Sequence, residues 1–302
     1  MIGVPLAPRP LEELARLHGG ELRNGARGLV RRLASIKHAG EGDLTILSSP
    51  RYVEEAAGAA GRGALLLVDE ALASRSDVRS LPGWFHPHAP WAMAEILDGV
   101  EAAPAEPVIG PGCVIGPGAQ ILPGVRLGAR VTIAPGAVVG APGFGFATGP
   151  CGRSRSIPQL GGVILEDDVH VGALASIAAG TIGPTILRRG VKLDAQVHVG
   201  HNCEIGEGTI IAAQTGIAGS VVIGKGVLVG GQVGIADHVT IGDGARLAAK
   251  SGVIGDVAAG STVAGYPAVE RQRWLRGLAE LYRLAARGAP SGPAEGDRSV
   301  SP

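Results

Sequence analysis

The sequence predicts a mostly β protein: a parallel β-helix of six-residue repeats, preceded by a small α/β domain and followed by a helix. Three observations favour this fold. The 302 residues include 50 Gly and 21 Pro, yet 45% are hydrophobic, which is too apolar for a disordered chain. Only nine aromatic residues occur, so the core must be largely aliphatic. Finally, an aliphatic residue recurs every six positions through two long stretches.

Residues 1–104 lack this period and predict the α/β domain. Leu11–His18 has helical spacing, residues 64–68 are typical of a buried strand, and residues 90–97 predict a helix that begins near a proline. Residues 101–107 (EAAPAEP) have the composition of a linker.

The β-helix is predicted for residues 105–264. Steps of six from Ile109 reach Val139 on aliphatic residues only, and the same step from Leu187 reaches Val253. Three units make a triangular coil of about 18 residues, and coils stack at about 4.8 Å. A glycine often follows the aliphatic residue, as at Gly206 and Gly224, which fits a corner with unusual backbone conformation and no room for Cβ atoms.

An insertion at residues 140–162 interrupts the repeat and contains Phe144 and Phe146. Loops on rigid scaffolds often carry binding residues, so we expect a functional role. After the β-helix, residues 265–288 predict a C-terminal helix with an apolar face. Residues 289–302 are polar, rich in Pro and Ser, and predicted to be disordered.

Charge and cysteine content exclude several classes. The 27 basic and 27 acidic side chains cancel, which argues against nucleic-acid binding. Cys113, Cys151 and Cys203 are odd in number and lack zinc-ligand spacing, so neither a disulfide framework nor a zinc knuckle is expected. No leader pattern and no apolar run of about 18 residues occurs, so we expect a cytoplasmic protein without integral membrane association.

Five local strings carry a family resemblance. They are residues 193–197 (LDAQV) leading to His201 and Asn202, 140–147 (GAPGFGFA), 157–159 (IPQ), 216–220 (GIAGS), and 265–268 (GYPA) leading to Trp274. With the N-terminal domain, they resemble the UDP-3-O-acylglucosamine N-acyltransferase family of lipid A biosynthesis over nearly the whole chain. The repeat alone would be a weak indication, since many acyltransferases share it.

The resemblance implies a left-handed β-helix and a homotrimer. It implies that acyl carrier protein presents a 3-hydroxyacyl thioester to the 2-amine of a UDP-linked, 3-O-acylated glucosamine. Amide formation from a thioester needs a base for the amine proton and donors for the oxyanion, but no cofactor.

His201 is the predicted base. The residue 18 positions later is Gly219, a candidate backbone donor on the next coil, and His238 lies two coils up, about 10 Å away, as a second polar anchor. Asp194 matches the family's acidic position and is expected to orient the imidazole. His198 and His170 do not lie at spacings that converge with His201 on one zinc ion, so no metal site is expected.

The resemblance also implies substrate-binding and carrier-binding residues. In the family a Phe-x-x-Asn-Pro-x-Tyr string binds uracil, and residues 46–52 here read ILSSPRY, which keeps the tyrosine but has isoleucine and serine for the other two. The predicted substrate-binding residues are His238, Asn202, Tyr52, Ser49, Phe144, Phe146 and Gln159. The predicted contacts to an acidic carrier protein are Arg271, Arg273 and Arg276.

Two alternatives stay open beside this N-acyltransferase. A related acyl- or acetyltransferase acting on another nucleotide-linked amino sugar would account for the altered uridine string. A catalytically silent trimeric scaffold is the other alternative. The retention of His201, Asp194 and Gly219 argues against a scaffold, because a structural β-helix needs none of them.

Overall fold

The computed structural model describes residues 3–100, 106–265 and 270–288. They form two compact units that divide between Gly265 and Tyr266. The predicted disordered tail, residues 289–302, and most of the predicted linker lie outside the described residues. The predicted domain boundaries, at 104 and at 264, stay predictions.

A six-stranded sheet with three helices forms the N-terminal part. Its strands are β1 (Val4–Pro10), β2 (Glu21–Arg23), β3 (Leu29–Leu33), β4 (Asp43–Leu47), β5 (Leu65–Asp69) and β6 (Gly83–His86), and its helices are α1 (Leu11–His18), α2 (Val53–Gly61) and α3 (Ala89–Asp98). The order is β1-β3-β4-β5-β6-β2, parallel from β3 to β6 and antiparallel at both edges. The helices predicted at 11–18 and 90–97 and the strand predicted at 64–68 are thus present, within one residue.

The next twenty-four strands, β7 to β30, follow in the same compact unit. They are β7 (Val108–Ile109), β8 (Val114–Ile115), β9 (Gln120–Ile121), β10 (Val125–Leu127), β11 (Thr132–Ile133), β12 (Val138–Ala141), β13 (Phe146–Thr148), β14 (Ser154–Ser156), β15 (Val163–Leu165), β16 (His170–Val171), β17 (Ser176–Ala178), β18 (Thr185–Leu187), β19 (Lys192–Leu193), β20 (His198–Val199), β21 (Glu204–Ile205), β22 (Ile210–Ile211), β23 (Gly216–Ile217), β24 (Val222–Ile223), β25 (Leu228–Val229), β26 (Gly234–Ile235), β27 (Thr240–Ile241), β28 (Arg246–Leu247), β29 (Gly252–Val253) and β30 (Thr262–Val263).

Except for the hairpin β13–β14, these strands build three parallel sheets. The first face runs β7-β10-β15-β18-β21-β24-β27, the second β8-β11-β16-β19-β22-β25-β28-β30, and the third β9-β12-β17-β20-β23-β26-β29. Val199 pairs with Ile217 and Ile217 with Ile235, a step of 18 residues per coil. Their side chains point inward into a single aliphatic core. The predicted fold class, a left-handed parallel β-helix of hexapeptide repeats, is confirmed.

The corner glycines confirm one of the two expected reasons, the lack of room for a Cβ, but not the unusual backbone conformation. A Cβ on Gly206 would collide with the backbone of Gly224 on the next coil, and Gly224 in turn meets Asp243. Positive φ does not occur at these glycines but two residues later, at Gly208 and Gly226. A glycine that directly follows the aliphatic residue, such as Gly206, is therefore required by close packing between coils. A glycine two residues later, such as Gly208, is required by backbone conformation.

The insertion at 140–162 is an ordered element. β13 and β14 form an antiparallel hairpin, joined by a short 3₁₀ helix at Pro150–Gly152. The hairpin packs against α3 of the N-terminal sheet domain. A second contact joins the two parts of this unit where Arg51 bonds the Asp256 carboxylate at 3.0 Å.

The second unit contains α4 (Arg271–Gly288), the predicted C-terminal helix. Several of its large apolar side chains are exposed, among them Trp274, Leu275 and Tyr282. Residues 266–269, where the predicted helix region begins, lie outside the described residues.

Two adjacent isoleucines in β22 provide a test of the core. Ile211 is fully buried whereas 49% of Ile210 is exposed. We expect Ile211→Ala to destabilise the protein by about 2–5 kcal/mol, because it leaves a cavity between stacked coils, and Ile210→Ala to have a much smaller effect. Guanidinium unfolding of both variants measures the difference, and equal losses would contradict the assignment of Ile211 to the interior.

Candidate active site

His201 lies in the corner that follows β20, held between two glycines. Gly219 is directly above it on the next coil, where a Cβ would lie 2.6 Å from His201 Cε1 and Nε2. Gly143, in the insertion, covers the other side, where a Cβ would lie 2.6 Å from His201 Cβ. The stacking of Gly219 on His201 follows the predicted 18-residue step. The contact with Gly143 was not predicted, although Gly143 lies inside the quoted string at 140–147.

Asn202 fixes which nitrogen of the neutral His201 ring carries the hydrogen. Its side-chain Nδ2 donates to the Gly183 carbonyl, and its Oδ1 accepts from the Thr181 backbone N–H. These two backbone partners define which amide atom is oxygen. Oδ1 lies 2.9 Å from His201 Nδ1. Because an amide oxygen only accepts, Nδ1 carries the hydrogen in the neutral ring and Nε2 has a free lone pair.

Gln159 and Thr181 support Asn202 from behind. The Thr181 hydroxyl lies 2.9 Å from both Gln159 Oε1 and Asn202 Oδ1. Gln159 Nε2 donates to the Ile157 carbonyl at 2.8 Å. The Thr181 hydroxyl has a single hydrogen for the two amide oxygens, so it links Gln159 to Asn202 as a donor that the two oxygens share. The predicted contact of Gln159 with substrate stays a prediction. Thr181 was missed, although it lies where the six-residue step breaks between Ile177 and Leu187.

The expected partnership of Asp194 with His201 is not observed. Asp194 lies in the corner between β19 and β20, whereas His201 lies in the next corner of the same coil. The recorded hydrogen bond of Asp194 Oδ1 is to the Ala195 N–H, at 2.7 Å. Within one chain, the orienting position at His201 Nδ1 is occupied by Asn202 instead.

The side chains of His238 and Tyr52 contact each other. The His238 backbone N–H donates to the Gly219 carbonyl at 3.1 Å, just as the Ser220 N–H donates to the His201 carbonyl. His238 therefore lies one position past the stack of His201 and Gly219, at the positive-φ corner position that Asn202 and Ser220 hold in the preceding coils. Tyr52, just before α2, places its hydroxyl 2.6 Å from His238 Nδ1. Burial is the main cause that lowers the pKa of His238 and raises that of Tyr52. Both side chains are therefore neutral at pH 7.

The remaining residues of the predicted uridine string have local structural contacts. Ser49 Oγ accepts from the Arg51 N–H at 3.4 Å, at the start of a 3₁₀ helix at Pro50–Tyr52. Ile46 packs against the core of the N-terminal sheet. Arg51 was not predicted, yet it joins this string to Asp256 of the β-helix. The Asp256 pKa is lowered by the Thr240 N–H and by Arg51, so this carboxylate is charged at neutral pH.

Phe144 and Phe146 form an exposed aromatic pair beside the His201 corner. Their rings are 5.0 Å apart in an edge-to-face arrangement, and 89% of Phe144 is exposed. Since Gly143 precedes Phe144, this apolar surface begins one residue from the glycine that covers His201.

The predicted carrier-binding residues Arg271, Arg273 and Arg276 lie in α4, in the second unit, and are exposed. Within the described residues, no three His, Cys, Asp or Glu side chains converge as a metal site. His198 Nδ1 lies 2.7 Å from Ser176 Oγ on the third face. Of the helices that the structure describes, none has the length and apolar character to cross a membrane.

Family models of hexapeptide repeats match parts of the β-helix. A family model described as "Bacterial transferase hexapeptide (six repeats)" matches residues 106–141 and 184–219, and one described as "Hexapeptide repeat of succinyl-transferase" matches residues 220–251. Among solved structures, a UDP-N-acetylglucosamine acyltransferase from Campylobacter jejuni is similar with a TM-score of 0.43 and 20% identity, covering 61% of this chain and 82% of that chain.

Curated relatives match nearly the whole chain. The UDP-3-O-acylglucosamine N-acyltransferase of Caulobacter sp. (strain K31) is 38% identical over 95% of this chain and 97% of its own length. The enzyme of the same name from Syntrophotalea carbinolica is 39% identical, covering 91% of this chain and 93% of its own length. The chain therefore belongs to the UDP-3-O-acylglucosamine N-acyltransferase family.

Proposed function

We propose that the protein transfers a 3-hydroxyacyl group from the thioester of acyl carrier protein to the 2-amine of UDP-3-O-acylglucosamine, a step of lipid A biosynthesis. The observation that carries the proposal is the His201 ring, which is held between two glycines with Nδ1 bonded to Asn202 and Nε2 free. The relatives that match most of the chain are named UDP-3-O-acylglucosamine N-acyltransferase, which supports the acceptor and the N-acyl transfer.

His201 acts as the general base in this proposal. As the amine nitrogen attacks the thioester carbonyl carbon, Nε2 removes the proton that the nitrogen loses. The tetrahedral oxyanion then collapses, the C–S bond breaks, and the imidazolium returns the proton to the leaving thiolate. The residues supply base and donors, so we propose that no cofactor takes part.

Gly219 is the proposed oxyanion donor. Its N–H has no recorded hydrogen-bond partner in the described part of the chain, although its carbonyl accepts from His238. It stands beside His201 Nε2, where a Cβ would leave no room. A backbone donor at this position stabilises the developing negative charge without reorganisation. Asp194 has no role in the proposed step within one chain.

The proposed substrate contacts lie on both sides of this centre. Tyr52 stacks on the uracil with support from Ser49, while His238 contacts the sugar side. Asn202 is proposed to act through His201, since its amide is already hydrogen-bonded. Phe144 and Phe146 offer an apolar surface to the acyl chain, as their exposure next to Gly143 favours. Gln159 is proposed to act through Thr181 and Asn202, since its amide groups are already hydrogen-bonded.

We propose a homotrimer that receives its donor from acyl carrier protein in the cytoplasm. On the third face Gly216, Gly234 and Gly252 stack in register with open space above them, which permits close approach of another backbone. The exposed Arg271, Arg273 and Arg276 of α4 suit an acidic carrier protein.

A thiol-release assay tests the proposed reaction. Purified 3-hydroxyacyl carrier thioester should release thiol with UDP-3-O-acylglucosamine and yield an amide product detectable by mass spectrometry. Release only with a different UDP-linked amino sugar would favour the alternative acceptor, to which the Ile46 and Ser49 replacements point. Lack of release across a panel of such sugars would favour the silent scaffold.

His201→Ala tests the base. We expect kcat to fall by about 10²- to 10⁴-fold, the usual contribution of general-base catalysis, with little change in thermal stability because the ring is only half-buried. His38→Ala is the matched control, since His38 is an exposed histidine that bonds Ser35 in the N-terminal sheet domain. A near wild-type kcat in the His201 variant would remove this residue from the mechanism.

Asn202→Asp tests the orientation of the ring. A carboxylate beside Nδ1 favours the imidazolium form of the ring, so the acidic limb of the kcat/KM profile should move to higher pH. Asn24→Asp is the matched control, because Asn24 has nearly the same backbone φ (56° against 60°) but bonds carbonyls of the N-terminal sheet domain. An unmoved acidic limb in the Asn202 variant would show that Asn202 does not act on the titrating base.

A further inference from the structure

The hairpin β13–β14 rests on one aromatic side chain of the N-terminal sheet domain. Trp91, in α3, packs against Gly149 so closely that a Cβ there would overlap its ring. The Arg155 guanidinium lies 5.0 Å from the Trp91 ring centre and that of Arg153 lies 5.8 Å away. The hairpin therefore packs on the Trp91 indole, and the guanidinium groups of Arg153 and Arg155 lie over that ring.

Glu95 lies close to both Trp91 and Arg155 and so fixes their arrangement. Its Oε1 accepts from Trp91 Nε1 at 2.8 Å and lies 3.1 Å from an Arg155 nitrogen, while Oε2 lies 3.0 Å from His18 Nδ1. Burial acts to raise the pKa of Glu95, but hydrogen bonds from His18 and Trp91 lower it overall, so the carboxylate is charged at neutral pH. Arg155 is also 3.4 Å from the Asp98 carboxylate.

Both ends of the hairpin lead to His201. Before β13 the chain passes Gly143, which covers the imidazole. After β14 it reaches Gln159, which joins Asn202 through the Thr181 hydroxyl. The two ends are tied together, because Ile157 N–H donates to the Gly145 carbonyl at 2.9 Å. A shift of the hairpin would therefore move the cover and the support of His201 together.

We infer that Arg155 and Glu95 are positioning residues, through which α3 of the N-terminal sheet domain holds the hairpin and so fixes the imidazole of His201. The inference rests on the proposed function, in which His201 is the base. An ion pair of this exposure contributes little to folding stability. Its effect on catalysis is larger, because a displacement of about 1 Å at a reacting group costs up to about 100-fold in rate.

Arg155→Ala and Glu95→Gln are the test variants, and Arg153→Ala is the matched control. Arg153 belongs to the same hairpin and also lies over Trp91, but it has no ion pair among the residues described. We expect Arg155→Ala and Glu95→Gln to lower kcat by about 10- to 100-fold with an unchanged KM for the UDP-sugar and an unchanged Tm. Arg155→Lys should restore part of kcat because it keeps the charge, and Arg153→Ala should match wild type.

A second readout does not depend on turnover. In the full-length protein labelled at the histidine ring, the His201 signal is assigned by its loss in His201→Ala. We expect that signal to show one neutral tautomer with Nδ1–H in wild type and in Arg153→Ala, and a mixture in Arg155→Ala and Glu95→Gln. Unchanged kcat, or an unchanged His201 signal in folded Arg155→Ala and Glu95→Gln, would overturn the inference. An inactive wild-type protein with the expected tautomer shift would refute the proposed function and leave the positioning intact.

Discussion

Backbone stacking of one coil on the next fixes the rest of this structure. Where the repeat is uninterrupted, hydrogen bonds along each face hold a residue above the one 18 positions earlier, as at Val199 and Ile217. A side chain that points inward therefore finds another aliphatic side chain, and a corner residue finds another corner. Large corner side chains cannot be stacked in every coil, which is why glycines such as Gly206 and Gly224 lie where the coils approach most closely.

The candidate site uses this constraint at one corner of the β-helix. Gly219 leaves space above His201, and the ring of His201 fills it. The next position along the same corner has positive φ, which asparagine tolerates well, and Asn202 there turns its amide back to Nδ1. The repeat thus places the base and the group that orients it in adjacent positions. The packing of the core does not require the side-chain chemistry of these two residues, the imidazole of His201 and the carboxamide of Asn202.

The insertion and the N-terminal sheet domain complete what the repeat begins. Gly143 closes the lower side of His201, and Gln159 supports Asn202 through Thr181. The hairpin between Gly143 and Gln159 packs against Trp91, and Tyr52 of the N-terminal sheet domain contacts His238. A rigid β-helix offers flat faces with little concavity. The N-terminal sheet domain and the insertion therefore supply the walls that a substrate site needs.

The six-residue period determined the β-helix, because strand pairing at a fixed step leaves one solution for inward and outward positions. The same arithmetic placed Gly219 over His201, whereas His238 is one residue beyond the next step of 18 and holds the corner position that Asn202 and Ser220 hold in the preceding coils. Asp194 was assigned from the resemblance and not from the period, and within one chain a strand and a corner of the β-helix separate it from His201. Gly143, Thr181 and the Trp91, Glu95 and Arg155 contacts were decided only by tertiary structure. They depend on where an insertion without a repeat folds back, and no periodic rule fixes that path.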